Sequence, residues 1–125
     1  IKYNSKQMIK KYSVLICLMA SVIFLLIAML LYPGGSILNS NSIGFDLSKN
    51  FISNLFAPKA INGLENPSRI WAIIGMAFQS VGYGIFFINI SKNIPHKQWA
   101  TILKFIGIAN IILINGFVCN YYIYF

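Results

Sequence analysis

The charged residues of this chain fall in clusters, and the gaps between the clusters limit what it can fold into. No acidic or basic residue lies between Lys11 and Asp46, between Arg69 and Lys92, or after Lys104, leaving stretches of 34, 22 and 21 residues. About 20 mostly apolar residues are enough to cross the hydrocarbon of a bilayer as a helix. A small water-soluble domain needs polar side chains over its surface, and 58% hydrophobic against 10% charged residues does not supply them. The expected fold is therefore all-α: a transmembrane helical bundle with three visible spans, at about 13–32, 67–90 and 100–124. Residues 1–125 read as a single membrane domain, with 33–66 as a structured extracytoplasmic loop.

The charges also set an orientation. Lys2, Lys6, Lys10 and Lys11 precede the first span, and Lys92, Lys97 and Lys104 surround the turn between the second and third. The long loop nearly balances, with Lys49, Lys59 and Arg69 against Asp46 and Glu65. Positive loops stay cytoplasmic, so the N-terminus and residues 91–99 are expected inside and 33–66 outside. The net charge of +8 is thus an orientation signal facing the lipid bilayer, and lysines so placed can also touch anionic headgroups. No nucleic acid partner is implied, because no aromatic-basic face or finger spacing accompanies the charge.

The first span, "SVLICLMASVIFLLIAMLLY", follows a lysine-rich start as a signal peptide would. Its apolar run is too long for that, and no small-residue cleavage site follows, so it reads as an uncleaved helix. Pro33-Gly34-Gly35 ends it, and a turn-rich stretch leads to "FDLSKNFISNLFA". There Leu47, Phe51, Ile52, Leu55 and Phe56 fall on one helical face, predicting a short amphipathic helix with Asp46 or Ser48 as its cap. Phe45, Phe51 and Phe56 are expected to seal the loop against the helices. Asn66-Pro67 then signals the start of the second span.

Inside the second span, Ala72, Gly75, Gln79 and Gly82 form a stripe of small and polar residues, with Ser80 and Gly84 on a neighbouring face. Such stripes let helices approach closely, and packing is the plainer reading than a ligand groove. The third span holds Asn110, Asn115 and Asn120. Asparagine in lipid is costly unless paired, so either interhelical hydrogen bonds or a polar cavity at Gln79, Asn110 and Asn115 is expected. Cys17 and Cys119 both fall inside spans and read as packing residues. No catalytic, cofactor-binding or metal residues are evident: Asp46 and Glu65 stand 19 positions apart, His96 is the single histidine, and no nucleophile or phosphate-loop motif occurs.

The loop itself carries a pattern. Tyr32-Pro33-Gly34-Gly35, Gly44-Phe45, Asn50-Phe51-Ile52-Ser53-Asn54-Leu55, Asn62-Gly63 and Asn66-Pro67 occur in this order between the first two spans. The pattern resembles bacterial multi-helix integral membrane proteins catalogued as a domain of unknown function, distantly similar to DRAM/Sfk-type membrane proteins. Relatives often carry Asp where Asn54 stands here, which speaks against an acid role at that site. The resemblance implies about six helices, which agrees with the non-Met start at Ile1 and the uncharged end at Phe125 in suggesting a portion of a longer chain. A three-helix protein ending at the interface is the alternative.

Three functions compete. The first is a non-enzymatic membrane protein with a capped polar intramembrane pocket that binds a lipid or small amphiphile. The second is a small accessory or structural subunit of a larger membrane complex. The third, a lipid-acting enzyme using Asp46 or Glu65, has the least behind it.

Overall fold

A computed structural model describes the backbone of residues 4–124 and the side chains within that range other than those of 6, 7, 117–119 and 121–124. Lys2 and the side chains of Lys6 and Cys119 lie outside the described residues. The architecture is all-helical: α1 (Ser5–Leu31), a short 3-10 turn (Ile52–Phe56), α2 (Ser68–Ser91) and α3 (Lys97–Tyr124). Stretches long and apolar enough to cross a membrane occupy Met8–Leu31, Ser68–Ser91 and Lys97–Gly116. Helix α1 begins a full two turns before the apolar run, because nothing in Ser5–Tyr12 opposes helical backbone once the span behind it has formed.

The chain divides into two units. One consists of α1 up to Ser21 together with α2 from Ala77 and α3, and the other of Val22–Met76. In the first, helices meet through residues too small to hold them apart. A Cβ added at Gly107 would lie 2.8 Å from the carbonyl oxygen of Gly84, and one added at Gly84 would lie 3.0 Å from that of Gly107. Asn110 strengthens this crossing by donating its Nδ2 to the Ser80 carbonyl at 2.9 Å. Gly82 sits on a different side of α2, where an added Cβ would meet Cys17 and Leu18 of α1. Residues 82 and 84 are about 200° apart around a helix, so the small residues of α2 serve two partners.

In the second unit, the facing ends of α1 and α2 bury Ala28, Tyr32 and Ala72 with Leu55 and Ala60 of the loop. Phe24 and Trp71 stack beside them, ring centroids 6.0 Å apart. Gly75 is buried here as well.

The Gly84–Gly107 crossing makes a contrast that can be measured. Gly107→Leu must push two backbones apart and is expected to cost about 1–3 kcal/mol. Gly116→Leu, in the same helix but with open space around it, should be near neutral. Titrating each variant with sodium dodecyl sulfate in mixed micelles reads the difference, and equal midpoints would refute the close crossing.

Candidate functional site

The loop between α1 and α2 is the part of the chain most heavily committed to specific hydrogen bonds. Where α1 ends, Tyr32 is buried and Pro33 has no N–H to continue the helix. Gly34 and Gly35 follow with φ of 139° and 90°, a region that L side chains rarely adopt. Side chains here would also run into the Ser42 carbonyl and the Asn62 amide. The turn they start is closed by Gly35 N–H donating to the Ser42 carbonyl at 2.8 Å and Gly44 N–H to that of Pro33 at 3.2 Å.

Gly35 is a junction. Its carbonyl accepts from Asn50 Nδ2 at 2.7 Å and from the Tyr32 hydroxyl at 3.4 Å. The Tyr32 hydroxyl in turn accepts the amide of Ile61 at 3.2 Å, so one side chain joins the end of α1 to a position 29 residues on. Asn50 is buried, and its Oδ1 accepts the Asp46 amide at 3.0 Å. Around Asn62 and Gly63 a second turn forms: Asn62 N–H donates to the Gly34 carbonyl at 3.3 Å, and Gly63 N–H to that of Ala60 at 2.9 Å. The Asn62 side chain accepts the Leu64 amide at 3.1 Å.

Asn66 is the second junction. Its Nδ2 reaches the carbonyls of Ala57, Leu55 and Asn54 at 2.8, 3.1 and 3.3 Å, where the 3-10 turn ends. Its Oδ1 accepts the Ser68 amide at 3.2 Å and the Ser68 hydroxyl, which is also within 3.2 Å of the Leu55 carbonyl. Asn66 therefore caps α2 and holds Leu55, fully buried, in the core at once. Pro67 bridges cap and helix, and α2 begins at Ser68.

The expected amphipathic helix is corrected. Asp46 caps a turn that ends at Asn50, with its Oδ1 accepting the Ser48 amide at 2.9 Å and the Ser48 hydroxyl at 2.6 Å. The chain restarts at Phe51, whose amide donates to Asn54 Oδ1 at 2.8 Å, and makes one five-residue 3-10 turn. The proposed face is thereby split: Leu55 and Phe56 turn inward, while Leu47, Phe51 and Ile52 are exposed. Phe45 does seal, edge-on to Tyr32 with centroids 5.7 Å apart, but Phe51 does not. Ser53 lies exposed on the 3-10 turn. Ser36, in the turn-rich stretch after α1, is 2% exposed, with its Oγ accepting the Asn39 amide at 3.1 Å.

The polar residues of the spans are not brought to one point. Gln79 donates to the Tyr83 hydroxyl at 3.4 Å, Asn110 to the Ser80 carbonyl, and Asn115 to Ile111 of its own helix at 2.8 Å. The two acids likewise stand in separate settings: Asp46 in its turn, 3.5 Å from the Lys49 ammonium, and Glu65 where the backbone pairs with Lys59 in an isolated antiparallel β-bridge. No group of three or more His, Cys, Asp or Glu suited to a metal occurs among the described residues.

What the loop shows outward is apolar. Ile43 is 97% exposed and Leu38 78%, with Ile37, Leu47, Phe51 and Leu64 also more than half exposed. A comparison with family models, curated proteins and solved structures finds no match for this chain.

Two outcomes test the network. Asn66→Ala removes a donor shared by the Asn54, Leu55 and Ala57 carbonyls and takes the acceptor from the first amide of α2. It should cost about 1–3 kcal/mol and make residues 52–66 markedly more sensitive to protease, whereas Ser53→Ala should leave cleavage unchanged. The Ser48 hydroxyl and amide, followed by Lys49, hold the Asp46 carboxyl below its ordinary pKa. A lowered folded-state pKa stabilises above the unfolded value and the effect fades as pH falls through the folded one. Cleavage after Lys49 by an acid-tolerant protease should thus rise as the pH drops below the usual carboxylate range, and Asp46→Asn should remove that dependence.

Proposed function

We propose that this chain is a non-enzymatic integral membrane protein acting as an accessory or structural module, whose extracytoplasmic loop docks against another membrane protein. The N-terminus and the turn after α2 lie on the cytoplasmic side, following the lysines. One observation supports the docking role above the others: the loop is tied internally by Tyr32, Asn50 and Asn66, yet points Ile37, Leu38, Ile43 and Leu47 away from its own core. Apolar surface gathered on an ordered scaffold marks an interaction site. The loop pattern resembling multi-helix membrane proteins of unknown function accords with a role inside a larger assembly.

A polar pocket at Gln79, Asn110 and Asn115 has less behind it, because each of the three spends its amide on a different acceptor. Catalysis by Asp46 has less still, since Ser48 and Lys49 already occupy the carboxylate.

The test is a photo-crosslinking residue placed at Ile43 in the full chain in its own membrane, followed by mass spectrometry of the products. Discrete adducts to one polypeptide, lost in a Leu38→Asp variant that still folds, are expected. Lipid adducts alone would overturn the docking role and place the loop at the headgroups.

A further inference from the structure

Beyond this role, the first unit contains a crevice of about 440 Å³ lined by Val14 and Leu18 of α1 and by Tyr83, Phe86 and Phe87 of α2. Its lining is wholly apolar. That volume falls within the range of small-molecule sites, and its place along the helices says which molecule fits. At 1.5 Å per residue, Val14 and Leu18 lie about 5 and 11 Å along α1 from Lys11. By the same rise, Phe87, Phe86 and Tyr83 lie about 6, 8 and 12 Å back from the end of α2 at Ser91. The crevice therefore occupies the outer part of one leaflet, whose hydrocarbon is about 15 Å deep.

The charge beside it is of one sign. Counting about 100° per residue, Lys10 and Lys11 flank the direction of Val14 and Leu18 on α1. Lys92 follows the last residue of α2, Lys97 opens α3, and Lys104 lies about two turns further along it. All five lysines are exposed, and both acids of the chain, Asp46 and Glu65, belong to the other unit. Lys11 also lies 5.4 Å from the Tyr12 ring centroid, which keeps its ammonium near the level where interfacial aromatics sit.

We propose that this crevice is a binding site for an anionic phospholipid of the lysine-bearing leaflet, with an acyl chain between α1 and α2 and the phosphate against Lys10 and Lys11. A zwitterionic lipid could fill the crevice equally well but would gain little from the lysines. Two juxtamembrane lysines correspond to a preference of about thirtyfold.

The experiment is native mass spectrometry of the full chain in detergent with phosphatidylglycerol and phosphatidylcholine of identical acyl chains. Wild type should retain phosphatidylglycerol at least tenfold better. Lys10→Gln with Lys11→Gln should abolish that preference while leaving phosphatidylcholine retention unchanged, and Leu18→Trp, which fills the crevice, should reduce retention of both. Equal retention of the two lipids by wild type, or an intact preference in the double lysine variant, would overturn the site. Both lysines are exposed, so the double variant folds and decides the matter even where Leu18→Trp does not. Detergent solution has no sides, so this outcome is independent of membrane orientation.

Discussion

A chain that leaves a helix next to hydrocarbon must give every freed N–H and C=O a partner, because water is scarce there. Asn66 meets that demand at two places with one side chain. Its amide nitrogen serves the carbonyls at the end of the 3-10 turn, and its oxygen serves the start of α2. Leu55 is fully buried with its carbonyl supplied twice, by Asn66 Nδ2 and by the Ser68 hydroxyl. The Tyr32–Gly35–Asn50 cluster does the same for the chain just beyond α1, where the Gly35 carbonyl takes both side chains. The loop is long because it must carry these donors and acceptors to both helix ends. Its wealth of asparagine, serine and glycine follows from the same need.

The sequence reveals this frame where one residue type has one physical use. Charge gaps mark spans because an unpaired charge in lipid is costly, and α1, α2 and α3 fall within a few residues of the expected 13–32, 67–90 and 100–124, apart from the early start of α1. Tyr-Pro-Gly-Gly and Asn-Pro-Ser announce helix boundaries because proline and positive φ leave few alternatives. Legibility fails where one pattern serves two conformations. The spacing of Leu47, Phe51, Ile52, Leu55 and Phe56 suits a helix, but Asn50 and Asn54 turn the backbone between them, and no periodicity shows that. Asparagines in a span are similarly ambiguous. Asn110 reaches across to Ser80, while Asn115, five residues later, turns back to its own helix.

The small residues of α2 show how much one helix can encode. The stripe at Ala72, Gly75, Gln79 and Gly82 and the Ser80–Gly84 pair read as two neighbouring faces, and the structure gives Gly82 and the pair different helices to meet. Gly82 admits α1 at Cys17 and Leu18, and Ser80 with Gly84 admits α3 at Gly107 and Asn110. Lipid gives apolar helices no hydrophobic reason to associate, so van der Waals fit and hydrogen bonds must suffice. The Asn110 bond beside the glycine contact joins both, since a donor reaches a backbone carbonyl only where the backbones are already near.

Ile43 raises the opposite problem, an apolar side chain nearly fully exposed. In a flexible loop such a residue would turn inward, because hiding it from water is favourable. Here it cannot. Gly34 pairs with Ile43 in an antiparallel bridge, and Gly35 and Gly44 donate to Ser42 and Pro33 on either side. Turning Ile43 inward would break those bonds and unseat the junction at Gly35 that holds Asn50. The backbone bonds that close the turn after α1 are thus the ones that keep Ile43 outside. Loop order and apolar display have a common cause, and anything that loosened the first would also abolish the second.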